Sequence, residues 1–108
     1  MLIAAAAQGP GLDAIIPEKY EDSTHLIIVE TDSMEILGCH EKQDALGECF
    51  VKPMAECWCE AIVCGKIPRE IFTQIADNGI SRYKGAGLSA EAGLRGADDN
   101  SLPLMVKE

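Results

Sequence analysis

The chain opens on an unbroken run of small apolar residues, LIAAAAQ over Leu2 to Gln8, stopped by Gly9-Pro10-Gly11. Its alanines suit a helix as well as a strand, but a short run closed by Gly and Pro is the pattern of a strand buried on both faces. A long connection follows over residues 9 to 23, with Pro17 and the charged segment EKYED. THLIIVE (Thr24 to Glu30) and MEILG (Met34 to Gly38) then read as two strands around Thr31-Asp32-Ser33, an antiparallel hairpin with a three-residue turn. Between residues 44 and 54, Leu46, Phe50 and Val51 recur at helical intervals, while Gly47 and Pro53 restrict this stretch to a short or irregular helix.

The second half is more regular. AIVC, Ala61 to Cys64, is a short buried strand ended by Gly65. From Pro68 to Asn78, Ile71, Phe72 and Ile75 lie at helical spacing, with Pro68 suited to the first turn and Gly79 to the C-terminal cap. Ile80 to Tyr83 predicts another strand, and Ser89 caps a last helix reaching about Arg95. Residues 98–108 read as a polar, loosely held tail behind a domain spanning 1–97. The order strand, hairpin, helix, strand, helix, strand, helix needs right-handed crossovers, so the later strands join the first in parallel. The expected fold class is α/β, a five-stranded mixed sheet with flanking helices.

Composition narrows the function. At 108 residues the chain is one domain with a single core, and a formal charge of −9 excludes general attraction to nucleic acid or anionic lipid. MLIAAAA lacks the basic start of a signal peptide, and no apolar run approaches the roughly 20 residues that span a bilayer. The expected location is the cytoplasm, where the five cysteines are reduced thiols.

Three patterns carry candidate chemistry. Gly9-Pro10-Gly11-Leu12-Asp13-Ala14 fits the glycine-rich dinucleotide fingerprint, with Glu30 about 20 residues on, but Pro17 falls where the phosphate-facing helix would run. Cys39, His40, Cys49, Cys57, Cys59 and Cys64 form a second set; no C-x2-C knuckle is present, which weakens a zinc reading and leaves an iron-sulfur cluster or simple packing thiols open. Within ECWCEAIVCG, an extended backbone separates Cys59 and Cys64 by about 16 Å at roughly 3.3 Å per residue, too far to share one ion. A Cys64 nucleophile paired with His25 or His40 has no support in the spacing.

LIAAAAQGPGLDAIIPEKY, THLIIVETDSMEI and CEAIVCGKIPREIFTQIADNGISRY, taken in this order, resemble the dinitrogenase iron-molybdenum cofactor biosynthesis family. The resemblance covers roughly residues 1 to 97 and implies a ribonuclease-H-like fold. It implies a non-enzymatic carrier or accessory protein for an iron-sulfur or iron-molybdenum cluster, working with a metallocluster donor or acceptor protein. One departure stands out: where the family has Glu-His-Phe-Gly-Arg-Ala, this chain has Glu18-Lys19-Tyr20-Glu21-Asp22-Ser23, losing a potential ligand and a cation. In the implied fold the ligand crevice lies between the first strand and AIVC, lined by Gly9 and Gly11 on one side and Cys64, Gly65 and Lys66 on the other. Cys64 is the leading ligand candidate, with Cys39, His40, Cys49, Cys57 and Cys59 behind it. The alternatives are a cluster-free interaction or regulatory module of the same fold and a nucleotide-binding protein using the Gly9 to Ala14 turn.

Overall fold

A computed structural model describes residues 1–106. Five strands, β1 (Leu2–Ala7), β2 (His25–Glu30), β3 (Glu35–Glu41), β4 (Ala61–Cys64) and β5 (Ser81–Lys84), form one sheet in the order β3-β2-β1-β4-β5. β1, β4 and β5 run parallel, while β2 is antiparallel to both β1 and β3. Three helices, α1 (Val51–Glu56), α2 (Arg69–Asp77) and α3 (Ala90–Asp98), complete the α/β fold, a mixed sheet with flanking helices as expected.

β1 lies at the centre, and its alanines have a packing reason. Ala4 and Ala6 face one core with Leu26, Ile62, Met54, Ile71 and Ile75, while Ala5 and Ala7 face the other with Ile27, Val63, Ala90 and Leu94. Alternation along the strand therefore feeds two helical layers. α1 and α2 cover the first face and α3 the second. Small side chains on β1 let both layers approach the sheet closely.

α2 starts behind Pro68 and α3 behind Ser89, whose hydroxyl accepts the Ala92 N–H at 3.1 Å. α3 continues to Asp98, past the expected end near Arg95. The stretch over residues 44–54 resolves into a short 3-10 turn, Glu48–Phe50, leading into α1. Asp44 organises its entry by accepting the N–H groups of Gly47 and Cys49.

Two departures concern the hairpin. Its turn spans Thr31 to Met34, one residue more than expected, because Met34 takes a left-handed backbone (φ 57). β3 also runs to Glu41, beyond Gly38, since Cys39, His40 and Glu41 pair with Ile27, Leu26 and His25. Residues 101–106 follow β5: the Lys84 N–H bonds Pro103, the Met105 N–H bonds Arg82, and Met105 is buried. Lys107 and Glu108, the end of the expected tail, lie outside the described residues.

Candidate functional site

In open α/β sheets, ligands bind beyond the carboxyl ends of the parallel strands, where connections diverge. Here that end is crossed by the chain itself. The β1–β2 connection turns at Gly9 to Ala14, closed by the Gln8 N–H to Ile15 O bond at 2.9 Å, and then runs extended. On one side it bonds the β5–α3 loop: Ile16 N–H to Leu88 O, Gly87 N–H to Ile16 O and Ala90 N–H to Ala14 O, all within 2.8 Å. On the other it bonds the β4–α2 loop, with Tyr20 N–H to Lys66 O and Lys66 N–H to Glu18 O, both at 2.8 Å. The connection is a strap tying three strand ends together.

Gly65 is the tightest point of this strap. A Cβ there would lie 2.3 Å from the carbonyl oxygens of both Pro17 and Glu18, so only glycine admits the crossing backbone. Next to it, Tyr20 is fully buried, packs edge-on against Phe50 at 6.0 Å and donates its hydroxyl to Gly47 O at 2.7 Å. Burial pushes its phenol well above the ordinary range. The aromatic residue of the divergent segment thus anchors the strap, while its neighbours Glu18 and Lys19 are exposed.

The expected crevice is therefore occupied by residues 17–20. Gly9 and Gly11 lie in the turn after β1, Gly65 is covered, and Lys66 is exposed. Cys64, the leading ligand candidate, is fully buried and faces the core with Tyr20, Phe50, Ile67 and Ile71. Burial raises its thiol pKa, which the nearby Arg82 only partly offsets. The Arg82 guanidinium itself stacks over Phe72 at 4.6 Å. Because every residue of AIVC is buried, its sequence gives no sign of which way Cys64 points.

The other candidates are dispersed. Cys59, at the amino end of β4, is buried and pushed up to about 12, first by desolvation and then by the neighbouring Cys57. Cys57 is exposed at the end of α1. Cys49 is half-buried against the α1–α2 core and accepts the Gln43 N–H at 3.3 Å. Cys39 and His40 are adjacent on β3, so they project to opposite faces of the sheet. Among the described residues, no three His, Cys, Asp or Glu side chains are assembled to hold a metal ion.

One juxtaposition had no signal in the sequence. Cys39 is exposed, with its sulfur 3.9 Å from the Pro10 carbonyl, so it reaches the Gly9-Pro10-Gly11 turn across 29 positions of sequence. Ile27 pairs Cys39 and His25 pairs Glu41, which sets His25 diagonally across from Cys39 on one face. His25 also shares a 2.9 Å hydrogen bond with the Thr24 hydroxyl. Partial burial raises the Cys39 thiol above its usual value. The strand register that makes this neighbourhood could be read only after β3 was known to extend through Cys39.

The Gly9 to Ala14 turn leads into the strap and not into a helix, so the dinucleotide fingerprint lacks the helix N-terminus that would receive a pyrophosphate. Among the described residues, no helix is long and apolar enough to cross a membrane.

The fold and this strand-end geometry define an α/β protein with a five-stranded mixed sheet and three helices. The sequence matches no protein-family model, and no curated protein matches it. Solved structures do share the fold. The apo form of the orange protein from Desulfovibrio gigas is similar with a TM-score of 0.83 at 16% identity, over 98% of this chain and 93% of that one. A Thermotoga protein provisionally assigned as NifB gives 0.80 at 15% identity, over 99% and 95%. A provisionally assigned dinitrogenase from Methanocaldococcus jannaschii gives 0.68 at 20%, over 97% and 96%.

Proposed function

We propose that this protein is a non-enzymatic carrier or accessory protein for an anionic metal cluster of iron-sulfur or iron-molybdenum type. The observation that carries the reading is the exposed Cys39 thiol, 3.9 Å from Pro10 O at the glycine-rich turn after β1. A thiolate is the ligand such clusters take, and His25 on the same face offers an imidazole. Few protein ligands hold a cargo loosely enough to pass on. Lys19 on the strap, Lys66 on the β4–α2 loop and Lys84 at the end of β5 are exposed cations at this end of the sheet, beside the strap's own carboxylates Asp13, Glu18, Glu21 and Asp22.

The strand order with β2 reversed supports the ribonuclease-H-like topology. Among proteins of this fold, the orange protein is described in an apo form, a term that presupposes a bound group, and two others carry the names NifB and dinitrogenase. These names support placing the chain with the dinitrogenase iron-molybdenum cofactor biosynthesis family. We further place it in the cytoplasm, acting with a metallocluster donor or acceptor protein. The candidate ligand moves from Cys64 to Cys39 because Cys64 is enclosed by the core.

Anaerobic reconstitution with iron and sulfide, read by metal content and visible absorption, tests this reading. Wild-type protein and Cys64→Ala should take up iron, and Cys39→Ser should lose most of it. Equal iron in wild type and Cys39→Ser would refute the assignment, and no iron in wild type would refute the carrier role. The second reading, a cluster-free interaction module, draws on the strap that fills the crevice. It predicts no uptake by any of the three proteins.

A further inference from the structure

We propose that the outer edge of β3 is a docking strand for an extended, basic segment of a partner protein. The inference is independent of whether a cluster is bound. β3 is the last strand of the sheet and, with seven residues, longer than any other strand of the five. Apart from half-buried Gly38, every residue in it is exposed, including Ile36 at 41% and Leu37 at 54%. An edge strand carries a row of unpaired N–H and C=O groups, and proteins commonly blunt such edges with lysine or proline. EILGCHE has neither.

What the edge does have is a register shift and a pair of carboxylates. The pairing jumps between Ile28 and Val29, which pair with Gly38 and Ile36 and leave Leu37 as an extra residue. This bulge divides the edge into Glu35–Ile36 and Gly38–Glu41 and discourages indiscriminate pairing. Glu35 and Glu41, both exposed, close its two ends.

Those carboxylates decide between occupants. Because of the bulge, Glu35 shares a face with its partner Glu30, and Glu41 shares the opposite face with His25. If a second copy paired antiparallel about Gly38, each end of the pair would still carry one glutamate from each copy. If it paired parallel and in register, each glutamate would oppose its own counterpart. Like charges are destabilising directly across strands, as in the parallel pair, and unfavourable when gathered at the same ends, as in the antiparallel one; each chain adds a formal charge of −9 to the repulsion. A strand with Lys or Arg at those positions turns both contacts attractive, while its backbone completes the ladder and its apolar side chains cover Ile36 and Leu37.

The full chain can be titrated with two synthetic peptides, Lys-Val-Thr-Val-Thr-Lys, whose end side chains project to opposite faces as Glu35 and Glu41 do, and its Glu-ended counterpart, at low salt, following backbone amide NMR shifts and hydrogen exchange. The Lys-ended peptide should bind roughly tenfold more tightly, as two cross-strand charge pairs imply. It should also slow exchange in Gly38 to Glu41. In the double variant Glu35→Lys, Glu41→Lys, whose substitutions are exposed and whose fold circular dichroism can check, the preference should invert. Equal affinities, shifts confined to other strands, or a preference unchanged in the double variant would overturn the proposal. A dimer that protects the β3 amides without peptide would assign the edge to a second copy and overturn it too.

Discussion

At the carboxyl ends of β1, β4 and β5 the backbone closes on itself, while at the amino ends of β4 and β5 side chains stand apart around an open groove. The first end is held by main-chain bonds through the strap at Ile16, Tyr20 and Lys66 and by glycine at position 65. The second is a groove of about 480 Å³ lined by Met54, Ala55, Trp58, Cys59, Glu60, Asn78, Gly79 and Ile80. Trp58 stands at its rim, 87% exposed and in a left-handed backbone conformation (φ 58). Both ends carry cysteines, yet burial gives them different chemistry. The contrast teaches that a strand end in this fold class can be sealed by backbone alone, leaving accessible thiols on the edge strand and the opposite end.

Thiol labelling gives the largest expected difference. In the native protein, exposed Cys39 and Cys57 should react readily with a disulfide reagent, whereas Cys64 should react only through unfolding, about a thousandfold or more slowly. Cys59, whose thiol is pushed up to about 12, should show no ionisation step in its labelling between pH 7 and 10. Mass spectrometry of quenched samples assigns the sites, and fast labelling of Cys64 would show that the strap opens.

Two glycine substitutions test the ends directly. Gly65→Ala forces a methyl group against two backbone carbonyls, and we expect a loss of about 3 kcal/mol and a fall in Tm of roughly 10–20 °C. Gly79→Ala, at the other end, meets nothing within 4 Å and carries only the cost of a left-handed backbone (φ 72), about 1 kcal/mol. Thermal melts of both variants decide the comparison, and similar losses would show that the strap contributes little. The smallest effect belongs to Trp58→Ala, which should change stability by less than about 0.5 kcal/mol while abolishing tryptophan fluorescence, since the side chain is exposed and is the only Trp.

Much of the fold was legible because local patterns and tertiary needs agree. AIVC is a strand of the length read from its apolar run, Ser89 caps α3, and Pro68 and Gly79 bracket α2. The outer half of the hairpin was less legible. Its outer strand buries no face, so CHE carries no alternation to mark the extension to Glu41. The charged EKYED segment hid a fully buried tyrosine, because the partners that bury it, Gly47 and Phe50, lie nearly thirty residues away.

The sequence by itself determined the order of elements, the two-sided burial of β1 through its small side chains, and the acidic character of the chain. These follow from residue volume, spacing and charge, which act locally or sum over the whole chain. Only the tertiary structure decided that the strap fills the crevice, that Cys64 points inward, and that Cys39 meets the Gly9-Pro10-Gly11 turn. Each of those depends on strand register and on which face a buried residue takes, and non-local hydrogen bonds and packing set both.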